Sequence, residues 1–245
     1  MSTTKPHEPT FTVRLYRGTN NVEQMVAFLQ TLGMGPVAHR EDDDLVYITG
    51  RGGEIALYDN PDLGGRPGRA ELAFRTDDHE AVEKLLGSYD IRVDRPEESK
   101  QAGVTAYDVN GQSIWITDSV AEFGDDHEST IEVVALRHTP KVFGDTEFFE
   151  LLGFTEVWEG EAAWRLLARK EPAGVIGLTP GNVEGCEPGR ASVGLGFRTT
   201  EALGKLSARL QAGGYHVSGI IDSERPFLSV TDPDGITSAV YSATV

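Results

Sequence analysis

One cysteine, Cys186, in 245 residues excludes an intrachain disulfide and a cluster of thiolate metal ligands. Its neighbours Glu184 and Glu187 disfavour a reactive thiolate. A reducing cytoplasm is the expected location. Basic residues are scarce, 22 Lys and Arg against 39 Asp and Glu, for a net charge of −17. No Lys/Arg cluster interrupts that balance, so nucleic acid, which needs a basic stripe, is not an expected partner, nor is an anionic membrane surface. No apolar run reaches the roughly 20 residues of a membrane-spanning helix, and Met1–Thr10 is polar, without the hydrophobic centre of a signal peptide. The six histidines include no His-x-His pair and no pair at the i, i+4 spacing of a helical metal site. The Gly-x-Ser-x-Gly elbow and the Walker loop are missing, and Gly194-x-Gly196 lacks the third glycine of a dinucleotide loop.

What the chain does have is an internal repeat. Pro67-Gly68-Arg69-Ala70 leads into Glu71-Leu72-Ala73-Phe74-Arg75-Thr76, and Pro188-Gly189-Arg190-Ala191 leads into Gly194-Leu195-Gly196-Phe197-Arg198-Thr199. Leu32-Gly33-Met34 returns as Leu152-Gly153-Phe154, and Asp108-Val109-Asn110-Gly111 as Asp232-Pro233-Asp234-Gly235. Three matches in the same order, each about half a chain apart, mark a duplicated domain.

Periodicity fills in each copy. Phe11–Tyr16 alternates as a strand, and Asn20 or Asn21 caps a helix with Val22, Met25, Val26, Leu29 and Leu32 on one face. Gly33 ends that helix, and strands follow at Leu45–Thr49 and Glu54–Tyr58. The order then recurs: a strand at Glu71–Arg75, a helix capped by Asp77 or Asp78, and strands at Ile91–Val93, Val104–Tyr107 and Ser113–Thr117. The second half repeats the plan, its last helix capped near Thr199 or Thr200 and carrying Leu203, Leu206 and Leu210. The expected class is α+β, with four βαβββ modules in two domains. Residues 1–10 read as a flexible tail, 11–118 as the first domain, 119–130 as an acidic linker and 131–245 as the second domain.

A helix ending in Phe148-Phe149-Glu150-Leu151-Leu152-Gly153-Phe154, then Leu-Ala-Phe-Arg, then Asp-Pro-Asp-Gly before a final strand resembles the vicinal oxygen chelate superfamily of glyoxalases, extradiol dioxygenases and bleomycin-resistance proteins. The resemblance covers nearly the whole chain, twice. It implies paired modules whose mixed sheets curl into cups for a small molecule, with helices on the outer faces. Enzymes of that superfamily usually hold a divalent metal in the cup through His, Glu or Gln. The corresponding residues here are Thr12 or Val13, Ala56, Glu71 and Trp115, then Val133, Gly177, Gly194 and Ala239. Glu71 alone is a ligand type, so the expectation is no metal and no cofactor.

Alternation predicts what lines the cups instead. If Val13 and Leu15 pack against the helix, Arg14 and Tyr16 face inward. Tyr58 shares the face of Ala56, and Arg75 that of Glu71. In the second half Val134 and Leu136 are expected against the helix, leaving Ala135 and Arg137 inside, with Tyr241 beside Ala239. Tryptophan, tyrosines and arginines suit an aromatic or amphipathic ligand. The candidate binding residues are therefore Arg14, Tyr16, Tyr58, Glu71, Trp115, Arg137 and Tyr241. Among the histidines His138 stands out, because it closes the strand beginning at Val133. The leading expectation is a metal-independent binding protein rather than an enzyme, with antibiotic sequestration as one use. The alternative is a metal-dependent glyoxalase- or dioxygenase-type lyase, isomerase or ring-cleaving oxygenase with a site rebuilt around Glu71 and His138 or another histidine; a metal-free enzyme with Glu71 as general base is a third reading. A scaffold without a ligand is a further alternative. The expected partner is a small-molecule ligand, and the expected state a monomer or homodimer.

Overall fold

The computed structural model describes residues 8–39, 44–59, 70–95, 103–118, 129–160, 164–181 and 190–243. Cys186, most of the expected linker and the Pro-Gly pairs of both repeats lie outside these. In the first half, module one is β1 (Phe11–Thr19), α1 (Val22–Leu32), β2 (Val37–His39), β3 (Val46–Thr49) and β4 (Glu54–Asp59). Module two is β5 (Ala70–Thr76), α2 (His79–Gly87), β6 (Val93–Asp94), β7 (Gly103–Tyr107) and β8 (Ser113–Asp118). In the second half, module three is β9 (Ile131–Thr139), α3 (Val142–Leu151), β10 (Thr155–Glu159), β11 (Arg165–Ala168) and β12 (Val175–Pro180). Module four is β13 (Ser192–Thr199), α4 (Leu203–Ala212), β14 (Phe227–Thr231) and β15 (Thr237–Ser242). Its remaining strand is reduced to single bridges, Val217 to Val230 and Ile221 to Phe227.

The first strand of every module runs parallel to the last, and the other pairings are antiparallel. This gives the order β2-β3-β4-β1-β5-β8-β7-β6 in one half and β10-β11-β12-β9-β13-β15-β14 in the other, joined by the pair Val193–Ala70 and by an isolated parallel bridge between Gly52 and Glu132. The expected mixed α+β fold is what forms.

Local chemistry explains the helix ends. Asn21 accepts from the Gln24 amide at 2.9 Å, and Asp78 does the same for Ala81 at 2.9 Å. Gly33 closes α1 at φ 113°, a conformation that suits glycine. For α4 the expected threonine cap is corrected. The N-cap is Ala202, and the Thr199 hydroxyl instead accepts from the Glu201 amide at 3.1 Å, one step too early to reach the helix.

One hydrophobic core serves both halves. Phe11, Val13 and Leu15 of β1 and Ile131, Val133 and Ala135 of β9 belong to it, with Phe28, Leu29 and Leu32 of α1, Leu86 of α2, Phe149 of α3 and Leu206 and Leu210 of α4. The helices thus lie on the convex faces, opposite the cups. The halves meet there around an approximate twofold: Val13 donates its amide to Ala173 at 2.7 Å, and Val133 to Gly52 at 2.9 Å. Gly53 and Gly174, both at positive φ, sit at this crossing, where a Cβ would fall 2.8 Å from Val133 Cβ and 2.7 Å from Val13 Cβ respectively.

A second pair of contacts locks the halves crosswise. Arg17 of β1 is buried and pairs with Asp232, with Asp234 3.5 Å away, on the β14–β15 turn. Arg137 of β9, its counterpart, pairs with Asp108 on the β7–β8 turn and with Asp145 of α3 at 2.9 Å. The two Asp-x-x-Gly turns that mark the repeat therefore dock each half onto the other.

Candidate functional site

Strand register fixes which side chains share each concave face. In the first cup, Glu54, Arg14, Ala73 and Trp115 form one row across β4, β1, β5 and β8. Tyr47, Ala56, Tyr16 and Glu71 form the next row. Arg14 and Glu54 are almost wholly buried and ion-paired. Arg14 also donates to Thr117 Oγ1 at 2.6 Å and stands 5.2 Å from the Tyr47 ring centroid. Burial alone would lower the Arg14 pKa, but Glu54, helped by Tyr16, more than reverses this and holds the guanidinium above its usual value. Arg75 approaches the other Glu54 oxygen at 3.4 Å. Tyr16 and Trp115 stack with centroids 5.9 Å apart and planes at 18°. Trp115 Nε1 is buried and has no hydrogen-bond partner among the described residues.

The structure therefore brings Arg14, Tyr16 and Trp115 together. Glu71 lies opposite Tyr16 but is exposed at the mouth, and Tyr58 is half-buried one row beyond. Glu54 was missed by the sequence reading. It sits at the start of a strand, on the face of Ala56 and Tyr58, so alternation alone carried the signal.

In the second cup the rows are Thr179–His138–Ser192, Gly177–Leu136–Gly194 and Val175–Val134–Gly196. Val134, Leu166, Ala168 and Val175 make a small apolar cluster separate from the main core, with Leu136, Trp158 and Trp164 against it. This corrects the expected orientation of β9. Val134 and Leu136 face the cup, while Ala135 and Arg137 face the helices. Arg137 is thus a docking residue and not a cup residue. Four consecutive apolar residues from Val133, with Ile131 a fifth beyond Glu132, left the choice of face open to alternation; the arginine decided it, because Asp108 and Asp145 await it on the convex side.

Tyr241 also belongs to this second cup, apart from Trp115. It packs on Trp164 at 5.6 Å and on Phe227 at 5.5 Å, and Trp164 meets Trp158 edge-on at 5.0 Å. These rings connect β10–β11 to β14–β15 across the cup. Burial pushes the Tyr241 hydroxyl pKa up and the His138 pKa down.

Superimposing the two registers pairs the cups residue by residue. Arg14 and Glu54 correspond to Val134 and Val175, Tyr16 to Leu136, Glu71 to Gly194, Ala73 to Gly196, and Trp115 to Ala239. At each place the second cup has the smaller or less polar side chain. Above Gly194 a Cβ would meet nothing closer than 3.9 Å, so the floor there is open. Bulk has moved from the floor to the aromatic rim.

A divalent metal fits neither set of residues. In the first cup the Arg14 guanidinium lies on the concave face of β1 and already neutralises Glu54, and in the second the facing positions are valine, glycine and alanine. Among the described residues no three His, Cys, Asp or Glu side chains converge. Two recesses of about 410 and 540 Å³ open elsewhere, along the seam where Arg209 of α4 donates to the Thr31 and Leu32 carbonyls of α1, and they follow from the packing of the halves. Among the described residues no helix is long and apolar enough to cross a membrane.

No protein-family model matches the sequence, and no curated protein matches it significantly. Solved structures do match the fold. The Mn(II)-bound glyoxalase from Novosphingobium aromaticivorans superposes with a TM-score of 0.64 at 13% identity, over 94% of this chain and 81% of that one. A catechol 2,3-dioxygenase gives 0.63 at 15% identity, over 95% and 87%. An extradiol ring-cleaving dioxygenase from B. fuscum gives 0.63 at 17% identity, over 96% and 71%. The chain has the vicinal oxygen chelate fold along nearly its whole length.

Proposed function

We propose that this chain is a small-molecule-binding protein that holds a planar aromatic or amphipathic organic molecule in its second cup without a resident metal. The observation that carries the reading is the exchange between the cups. Where the first cup has Tyr16, Glu71 and Trp115, the second has Leu136, Gly194 and Ala239, under a rim of Trp158, Trp164, Phe227 and Tyr241. An apolar hollow with an aromatic rim supplies stacking area with few polar demands. Stoichiometric capture of a toxic aromatic compound, such as an antibiotic, is one use of such a site. The test combines metal analysis with a thermal-shift screen of planar aromatic compounds, since a ligand that binds only the native state raises the melting temperature. The expected result is a stabilising aromatic ligand, lost in Gly194→Leu, and no stoichiometric metal. About one equivalent of Mn, Fe, Zn or Ni surviving dialysis would overturn it.

A second reading is favoured by the similarity to a Mn(II)-bound glyoxalase and to extradiol dioxygenases: an enzyme with a rebuilt site and Glu71, exposed at the first cup, as base. It requires turnover of thiol adducts of 2-oxoaldehydes, or of catechols, that chelator and Glu71→Gln each abolish.

A further inference from the structure

Resting on the second cup as the binding site, we propose that its ligand is an aromatic anion whose carboxylate or phenolate is received by Arg225. Arg225 precedes β14, and its guanidinium stands 5.0 Å from the Trp158 ring centroid, at the aromatic rim. Among the described residues that guanidinium makes no ion pair, and its Nε is buried with no hydrogen-bond partner. Burial, and then the nearby Arg198, push its pKa down. The charge of exposed Glu224, its neighbour in sequence, partly opposes that shift without forming a salt bridge.

This is an unusual position for an arginine in a chain with 39 acidic side chains and 22 basic ones. The buried arginines show what the protein does when it encloses such a group. Arg14 faces Glu54, Arg17 faces Asp232, and Arg137 faces Asp108 and Asp145. Arg198, on the concave face with Gly194 and Gly196, has Glu132, to which its Nε donates at 2.6 Å. The second cup therefore holds the Arg198–Glu132 pair plus one cation that makes no ion pair among the described residues. Arg225 is half-buried, but its Nε–H is enclosed and unpaired, and a carboxylate or phenolate at the rim completes it through charge-assisted hydrogen bonds. The contact with Trp158 holds the guanidinium at the rim, within reach of an anion on a ring seated in the cup. Ser192, whose buried hydroxyl also has no partner, lies on the same concave face at the far end, beside His138. It provides a place for a second polar substituent.

The experiment titrates the intact protein with three probes of one shape: 2-naphthoate, the neutral 2-naphthamide and the cationic 2-naphthylmethylamine, by calorimetry and by quenching of tryptophan fluorescence. Naphthoate is expected to bind at least about tenfold more tightly than the amide, and the amine more weakly than both. Arg225→Gln removes the preference for naphthoate and leaves amide binding unchanged, while Arg225→Lys retains part of the preference. Equal binding of naphthoate and amide, or a preference that survives Arg225→Gln, overturns the assignment to Arg225 and leaves the cup reading standing. Binding of none of the three, or binding that Gly194→Leu does not reduce, overturns the cup reading and this inference with it. Unfolding midpoints of Arg225→Gln and Gly194→Leu, measured alongside, show that lost binding is not lost folding.

Discussion

Replacing Arg17 with Met keeps the length and apolar stem of the side chain and removes the charge that docks β1 on the β14–β15 turn. Asp232 then keeps only the amides of Asp234 and Ile236, at 3.0 and 2.9 Å, as partners for one of its oxygens, in a site that is 5% exposed. Asp234 keeps the Thr19 hydroxyl at 3.1 Å and the Asn20 amide at 3.0 Å. Breaking one side of a buried pair costs about 3–5 kcal/mol, because the abandoned charge stays buried. Against a total stability of about 5–15 kcal/mol, that is a large fraction. Removing the stranded charge as well, in Arg17→Met/Asp232→Asn, recovers about 2 kcal/mol or more of the loss. Urea unfolding followed by tryptophan fluorescence and far-ultraviolet dichroism gives both numbers, and the double-mutant cycle gives their coupling. A loss under about 1 kcal/mol in the single variant, or a double variant no better than the single, refutes the idea that this ion pair holds the halves together. Arg137→Met is expected to cost at least as much, since it strands Asp108 and Asp145, whose side chains are both 0% exposed.

Gly53→Ala places a methyl group 2.8 Å from Val133 Cβ in a left-handed backbone conformation; it is expected to cost about 2–4 kcal/mol and to lower the thermal midpoint by several degrees, measured by calorimetry. His138 has a folded pKa held below its ordinary 6.5 by burial, so the unfolded chain takes up its proton first as the pH falls. Its contribution to stability is therefore complete above about pH 6.5 and declines below it, and urea midpoints at pH 7.5 and 5.5 are expected to differ less in His138→Gln than in the parent.

The fold was legible because three motifs repeat and because β1 alternates cleanly, with Phe11, Val13 and Leu15 on one side and Arg14 and Tyr16 on the other. The same logic failed on β9, where valine, alanine and leucine at consecutive places erase the period of two. The neighbouring copy held the answer: aligned with Arg17, Arg137 must lie on the convex face. Short β2, and β10 with its mostly exposed Thr155–Glu159, carry little pattern of burial and were not seen. Of the aromatic rim only Tyr241 was expected from alternation, and the rest was invisible for a different reason. Trp158, Trp164, Phe227 and Tyr241 are spread over more than 80 residues, and only the curl of the sheet brings them together. The Asp-x-x-Gly turns looked like turns and nothing more, since their charge partners lie in the other half.

The equivalence of the cups predicts what would convert one into the other. Val134 and Val175 stand where Arg14 and Glu54 stand, directly opposite each other on parallel strands. Val134→Arg alone buries a guanidinium against Leu166, Ala168 and Val175, and the expected loss is about 3–5 kcal/mol. Adding Val175→Glu rebuilds the first cup's ion pair in the second. The space is provided in the same row by Gly196 and Ala239, which replace Ala73 and Trp115, once the Leu136 side chain above Gly196 gives way. The double variant is therefore expected to recover about 2 kcal/mol or more over the single one while losing naphthoate binding, because the pair now fills the hollow. If the double variant is no more stable than Val134→Arg, the rows are not equivalent in energy, whatever their register. If it folds and still binds the probe with parental affinity, the ligand does not sit on this floor, and the contrast between a filled cup and an open one loses its meaning.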